Sequence, residues 1–373
     1  MSRVLVTGGA GFIGSHTCDL LLSNQFEVRV LDSLQPRVHP RGLPKYLHRD
    51  VEFQQGDVRD RPALERALDG VRYVYHLAAY QDYMPDFHRF LDVNATSTAL
   101  LYEIIVDRRL PVEKVIVASS QSVYGEGKYE CPRHGALYPG PRPIDQLERS
   151  QWEHACPICG TDLQPSPFDE AVVKPHTAYG ISKYAAEQLA VQLGRRYGIP
   201  SVALRYSIVQ GPRNSPHNSY SGVCRVFTQR ALHGKPPVVY EDGRQLRDYV
   251  HIQDVAAANL LVLLMKEADG QSFNVGGQRA ATVLECAQLV AAACGQPLEP
   301  ILRGEFRVGD TRHTVSDSMR LRRLGWIPRH SLEDIVRDYV GWMREQDEVP
   351  DNSDAAAKEM QLNGVLRPAA VTA

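Results

Sequence analysis

Long apolar runs are missing from this sequence of 373 residues. No stretch reaches the ~20 consecutive apolar residues that a membrane-spanning helix needs, so no membrane partner is expected. The opening "MSRVLVTGG" lacks the charged, apolar and small-residue layout of a secretory leader, which makes the cytoplasm the expected location. A dominant charge is missing too. Against 44 acidic residues stand 42 basic ones, a net charge of −2, so no global field draws the chain to nucleic acid or anionic lipid. No period of roughly 20–50 residues recurs, which excludes a solenoid. Cysteine is scarce and odd in number: seven thiols in a reducing compartment do not make a disulfide framework. Cys18, Cys286 and Cys294, in "TCDLLL" and "ECAQLVAAAC", read as small buried hydrophobes.

What is present is an ordinary globular composition, 43% hydrophobic and 23% charged, with room for a large core. Over the first 120 residues, short apolar strands ("RVLVTG", "EVRVLDS", "YVYHLAA", "KVIVASS") alternate with helical stretches ("HTCDLLLSNQ", "ALERALDG", "ATSTALLYEIIVDR"). Such alternation predicts an α/β fold, a doubly wound parallel sheet of the Rossmann kind. The expected organisation is a dinucleotide-binding domain over 1–205 and a smaller C-terminal substrate lobe over 206–346. A Cys/His-rich insert at 127–170 interrupts the first, where seven prolines break the periodicity. Segment 248–275 is expected to return to the larger domain. Residues 347–373, polar and Ala-rich, are expected to form a loosely held tail.

"VLVTGGAGFIGSH" places Gly8, Gly11 and Gly14 between the first strand and the first helix. Glycines there permit a tight turn, close approach of a pyrophosphate and close helix–strand packing, with the helix N-terminus facing the phosphates. A second strand ends in Asp32, 18 residues after Gly14. Its carboxylate would accept from adenosine ribose hydroxyls and repel a 2′-phosphate, which favours NAD over NADP. "TAYGISKY" puts Tyr179 and Lys183 four residues apart, on one face of a helix. A tyrosine with its ordinary pKa near ~10 is a poor base at neutral pH. A neighbouring ammonium lowers that pKa and lets the phenol take a hydroxyl proton.

With "TGGAGFIG", "GDVRD", "HLAA", "SSQSVYG", "YGISK", "RDYVHIQDV", "FNVGG" and "RVGDTRHTVSD", the chain resembles the extended short-chain dehydrogenase/reductase family. These are the NAD-dependent nucleotide-sugar epimerases and dehydratases, and the resemblance covers nearly all of 1–346. It implies that Ser120 hydrogen-bonds the reacting hydroxyl beside Tyr179 and Lys183, that Asp57 and Val58 hold adenine, and that Lys183 holds the nicotinamide ribose. Phe12, Ile13, Leu77, Ala78, Ala79 and Asn94 join the cofactor site by the same resemblance. Ser122, Arg247 and Arg307 are implied to bind the substrate, the arginines gripping phosphate oxygens through their planar forks. A homodimer, paired through two helices per subunit, is also implied.

The family's 4,6-dehydratases carry an Asp-Glu pair after the Ser/Thr, whereas this chain has Gln121 and Ser122, so dehydration is disfavoured. Asp32 argues against exchangeable NADPH. Epimerisation at C4 of a dTDP- or UDP-hexose, through a 4-keto sugar, is the expectation. The alternatives are a decarboxylase or oxidising enzyme on a nucleotide-sugar acid, and an NAD-binding regulatory protein without catalysis. One departure stands out: where the family often reads "RYFNVYGP" this chain has "RYSIVQGP". Ile208 replaces an Asn that touches the pyrophosphate, and Gln210 replaces Tyr, so substrate contacts must differ.

Ser120 and Tyr179 are 59 positions apart because the insert lies between them. It carries Cys131-x-x-His134 and Cys156-x-x-Cys159. Three thiolates and an imidazole suit tetrahedral structural zinc, which can replace an apolar core the stretch lacks. The other readings are a redox Cys pair, or idle thiols with a solvated His134. The insert is expected to overhang the sugar site. It and "EDGRQLRDYVH" resemble the dTDP-L-rhamnose 4-epimerase-like branch of the family.

Overall fold

The computed structural model describes residues 2–82, 85–217, 222–295 and 298–370. Seven strands, β1 (Arg3–Thr7), β2 (Glu27–Asp32), β3 (Glu52–Gln55), β4 (Tyr73–His76), β5 (Lys114–Ser120), β9 (Ser201–Tyr206) and β13 (Gln271–Val275), share one sheet. Their order is β13-β9-β5-β4-β1-β2-β3, and every pairing is parallel. Parallel neighbours need crossovers, which α1 (Phe12–Ser23), α2 (Arg61–Leu68), α3 (Phe87–Phe90), α4 (Ser97–Asp107), α6 (Ala178–Tyr197) and α8 (Ile252–Leu264) provide. The order reverses between β1 and β4, so a crevice opens at the carboxyl ends of those strands.

Alternation along the strands feeds two cores. Val4, Val6, Val30 and Phe273 pack on one face with Leu21 of α1 and Val255 of α8. Leu5, Leu31, Val74 and Val115 pack on the other with Leu64, Leu101 and Ala190 of α2, α4 and α6. Because helices cover both faces, the strands read as near-continuous apolar runs.

Residues 248–275 contribute both α8, which lies on α1, and the edge strand β13. Asn259 of α8 fixes that contact: its Nδ2 donates to Thr17 Oγ1 at 2.8 Å, and Tyr206 Oη donates to its Oδ1 at 2.7 Å. The remaining C-terminal residues build a second layer from β10 (Ile208–Gln210), α7 (Val223–Leu232), β11 (Val238–Val239), β12 (Leu246–His251), β14 (Ala280–Thr282), α9 (Val283–Ala293) and β15 (Ile301–Leu302). β16 (Glu305–Arg307), α10 (Met319–Arg323) and α11 (Leu332–Arg344) follow. Phe227, Val290, Ile335 and Tyr339 form its core.

The insert folds as β6 (Lys128–Cys131), β7 (Gly135–Leu137), α5 (Ile144–Glu148) and β8 (Gln164–Ser166), its strands antiparallel in the order β7-β6-β8. Its own apolar core is tiny, Tyr129 and Leu163 against Cys131 and Cys156.

The expectation of a loosely held tail after 347 is corrected. α12 (Ser353–Leu362) buries Ala356 and Met360, and β17 (Leu366–Pro368) pairs antiparallel with β16. Two apolar anchors, a strand edge and ion pairs from Arg230 and Lys235 to Asp354 and Asp351 hold this polar segment. Residues 371–373 lie outside the described residues.

Candidate active site

The first turn of the site is built by close approach. Gly8 takes φ +69°, and a Cβ on it would lie 2.8 Å from the Ala78 backbone. A Cβ on Gly14 would meet Gly8 O at 2.2 Å, so only glycine lets α1 start directly on the turn. No side chain caps α1, and its first residues face the crevice. Asp32 ends β2 with its carboxylate accepting from Ala10 N at 3.0 Å and Leu34 N at 2.9 Å. His76 bridges Thr7 and Ser97 at 3.0 and 2.9 Å beneath the turn. Burial, with the Lys183 cation nearby, pushes its pKa down to about 3, so it serves as a neutral strut.

α6 begins at Thr177, whose hydroxyl accepts from Gly180 N at 3.0 Å. A Cβ on Gly180 would lie 2.4 Å from Ser122 O. That glycine therefore allows the helix start, with Tyr179, to press against the turn after β5. Ser120 sits at that turn, its Oγ accepting from Ser122 N at 3.2 Å. One helical turn on, Lys183 Nζ donates to Ala118 O at 2.7 Å. Burial lowers its pKa to about 8. Tyr179 packs edge-on to Phe90, with ring centroids 6.3 Å apart.

Beneath α6 lies a buried polar girder that sequence reading missed. Arg205 Nε donates to the Glu187 carboxylate at 2.9 Å, and Arg205 also donates to Tyr124 Oη at 2.7 Å. Ser119 donates to the same carboxylate at 2.7 Å, and Tyr124 Oη donates to Asn274 Oδ1 at 2.6 Å. Glu187 lies one turn after Lys183, so the pair locks the rotation of α6 against β5, β9 and β13. The only available signal was the acid at i+4 from the lysine.

These elements surround one cleft of about 1100 Å³. Gly8, Gly11, Phe12, Ile13, Gly14 and Asp32 line its floor, with Asp57, Val58 and the Leu77–Ala79 loop at one side. Ser120, Ser122, Tyr179 and Lys183 stand at its centre, and Arg247 and Arg307 at the far end. Arg247 is anchored by its own donation to Arg312 O and Thr311 O, at 2.9 and 3.0 Å. Arg307 pairs with Asp310 at 2.7 Å and lies over the Tyr240 ring. Asn94 does not line the cleft. Its amide accepts from Tyr80 N and donates to Tyr80 O and Ser182 Oγ, so it fastens the loop after β4 to α6.

Two further expectations change. No residue of 127–170 lines the cleft, so the insert does not overhang it. It braces the far end from behind instead. Arg312, fully buried, binds Glu153 of the insert together with Glu241 and Asp242. Glu126 accepts from Arg312 N and lies 3.0 Å from His154. The second change is that α12, expected to be loose, supplies part of the cleft wall through Ala357 and Met360.

Within the insert, one ligand atom each from Cys131, His134, Cys156 and Cys159 lies within 4.8 Å of all the others. Cys131 Sγ is 3.7 Å from Cys159 Sγ, and His134 Nδ1 is 3.4 and 3.3 Å from the sulfurs of Cys131 and Cys156. Zn–S bonds of about 2.3 Å in a tetrahedron separate sulfurs by ~3.8 Å, which the Cys131–Cys159 pair matches. Among the described residues, no helix is long and apolar enough to cross a membrane.

A glycine turn on an uncapped helix, a strand-end aspartate and a Ser–Tyr–Lys centre in one crevice define a dinucleotide-dependent enzyme acting on a hydroxyl or carbonyl. The chain belongs to the NAD dependent epimerase/dehydratase family, whose model matches residues 4–144 and 156–276. The break between the two matched segments falls within the insert. The chain is 35% identical over 352 residues to dTDP-L-rhamnose 4-epimerase of Burkholderia thailandensis, covering 92% of this chain and 95% of that protein. Its fold is similar to UDP-glucose 4-epimerase of Thermotoga maritima with UDP-glucose, at TM-score 0.76 and 31% identity over 93% of this chain and 100% of that one. UDP-glucose 4-epimerase of Thermus thermophilus, complexed with NAD, gives TM-score 0.71 at 30% identity, covering 92% and 99%.

Proposed function

We propose that this chain is an NAD-dependent nucleotide-sugar 4-epimerase acting on a dTDP- or UDP-hexose. The observation that carries the reading is the contact at Gly180, which brings Tyr179 and Lys183 against Ser120 and Ser122 in the cleft that the Gly8–Gly14 turn opens. The residues fit NAD. The first-turn amides of α1 have no side-chain cap and face the cleft, as an anion site requires, and the Asp32 carboxylate lines the same cleft. Phe12, Ile13, Asp57, Val58 and Leu77–Ala79 would hold the remainder.

When bound, NAD supplies the hydride acceptor and, later in the turnover, the donor. This chain's residues handle the proton. Tyr179 takes the C4 hydroxyl proton as the 4-keto sugar forms and returns it once the sugar has turned over. Ser120 donates to the same oxygen. The Lys183 ammonium favours the phenolate. Gln121 and Ser122 follow Ser120, so no carboxylate stands there to eliminate water.

The relatives' substrates, dTDP-L-rhamnose and UDP-glucose by name, support the choice of nucleotide. The test is mass spectrometry after liquid chromatography on the purified protein with UDP-, dTDP-, CDP- and GDP-sugars and no added cofactor. A product of unchanged mass and new retention time is expected. Loss of water or carbon dioxide would instead assign a dehydratase or decarboxylase.

Four further assignments belong to the same proposal. Residues 1–205 with 248–275 form the NAD-binding unit and the rest of 206–346 the substrate lobe. Cys131, His134, Cys156 and Cys159 hold a structural zinc, supported by their spacing. The protein works as a homodimer, checked by sedimentation, and resides in the cytoplasm, checked by fractionation.

A further inference from the structure

The far end of the cleft lies between α7 and α12, beyond the arginines. Val226 and Phe227 of α7, Val238, Tyr240, and Ala357 and Met360 of α12 line an apolar slot there. Arg230, Arg303 and Arg307 line the same end of the cleft. α12 is fastened in place. Arg230 donates to Ser353 Oγ at 2.9 Å and to the Asp354 carboxylate at 2.6 Å, and Lys235 donates to Asp351 at 2.7 Å. Tyr240 packs against Ala356 and Met360, and β17 pairs with β16, the strand that carries Arg307.

An apolar slot rimmed by guanidinium groups suits a flat heterocycle attached to phosphate.

We propose that α12 is a wall of the substrate site. The base of the nucleoside diphosphate lies against Ala357 and Met360. The C-terminal segment is thus a specificity element. This assignment rests on the nucleotide-sugar reading above.

Titration calorimetry of the NAD-loaded full-length protein with UDP and with dTDP tests it. Ala357→Trp should weaken both nucleotides at least tenfold and raise KM for the sugar nucleotide by a similar factor. NAD content should stay at the wild-type value. Ala355→Trp, on the exposed face of the same helix, should bind as wild type does. Hydrogen exchange on the unmodified protein gives a second readout, in which amides of 353–362 slow when UDP or dTDP binds. Unchanged affinity in Ala357→Trp, or exchange at 353–362 indifferent to bound nucleotide, overturns the wall while leaving the enzyme reading intact. A wild-type protein that retains NAD but binds neither nucleotide overturns both.

Discussion

Arg142 donates through both terminal nitrogens to the carboxylate of Glu241, at 3.0 and 2.8 Å, with side chains only 1% and 3% exposed. The pair joins the insert to the substrate lobe. Arg142 also donates to Asp310 O at 3.0 Å, and the Asp310 carboxylate holds Arg307. Without Arg142, Glu241 keeps Arg312 as its remaining cation, so the cost lies below the about 3–5 kcal/mol of a fully stranded buried charge. Arg142→Met should therefore lower the thermal midpoint by several degrees and raise KM, with NAD content unchanged. A variant that loses stability while KM holds would detach Arg142 from the positioning of Arg307.

The Cys/His cluster makes a separate prediction. Plasma mass spectrometry of the purified chain should find one zinc per subunit. Cys156→Ser or a strong chelator should remove it and open 127–170 to proteolysis, because that segment has little apolar core of its own. The NAD half should stay folded, as read by retained cofactor. Protein that carries no zinc and resists protease equally well would return the cysteines to idle thiols.

Tyr179→Phe removes the hydroxyl proposed to carry the proton and leaves the ring. General acid–base catalysis supplies roughly 10²–10⁴ in rate, so kcat should fall by that order with NAD still bound and affinity for the sugar nucleotide preserved. Ser120→Ala should be milder. Turnover near the wild-type rate in Tyr179→Phe would place the proton transfer elsewhere.

Lys183 yields a pH signature. Burial lowers its pKa from 10.5 to about 8, so between those values the unfolded chain holds a proton that the folded, NAD-free protein lacks. Stability from this group therefore rises with pH through that window. Comparing wild type with Lys183→Met by denaturant titration, the wild type should gain on the variant by on the order of 2 kcal/mol between about pH 8 and pH 10. A difference flat across pH would mean that the ammonium is solvated.

The residues that line the cleft together were legible because their spacing is local. Gly8, Gly11 and Gly14 sit in one turn, Asp32 closes the next strand, and Tyr179 and Lys183 share a helix face at fixed spacing. The parallel sheet followed from strand–helix alternation for the same reason. What failed to show lies far apart in sequence. Asn94 carries a side chain fit for a cofactor, but folding gives its amide to Tyr80 and Ser182. Ala357 and Met360 sit in a segment whose polar composition resembles a tail, and only β16 and Tyr240, distant in the chain, give it a place to dock. The insert meets the lobe through ion pairs and through backbone hydrogen bonds such as Phe168 N to Val315 O, and neither leaves a periodicity from which a partner could be read.

Ala370 closes the molecule on the insert: its N–H donates to Glu148 O at 2.7 Å, and its carbonyl accepts from Ser150 Oγ at 2.6 Å. The far end of the cleft is thus fastened by residues made long after the sheet is complete. β13 is finished at Val275. With synthesis at about 5–20 residues per second, the stretch from there to Ala370 takes roughly 5–20 s. For that interval a nascent chain has every strand of the seven-stranded sheet and an unfinished far end of the cleft, so on the proposed function cofactor capture can precede substrate capture during synthesis itself.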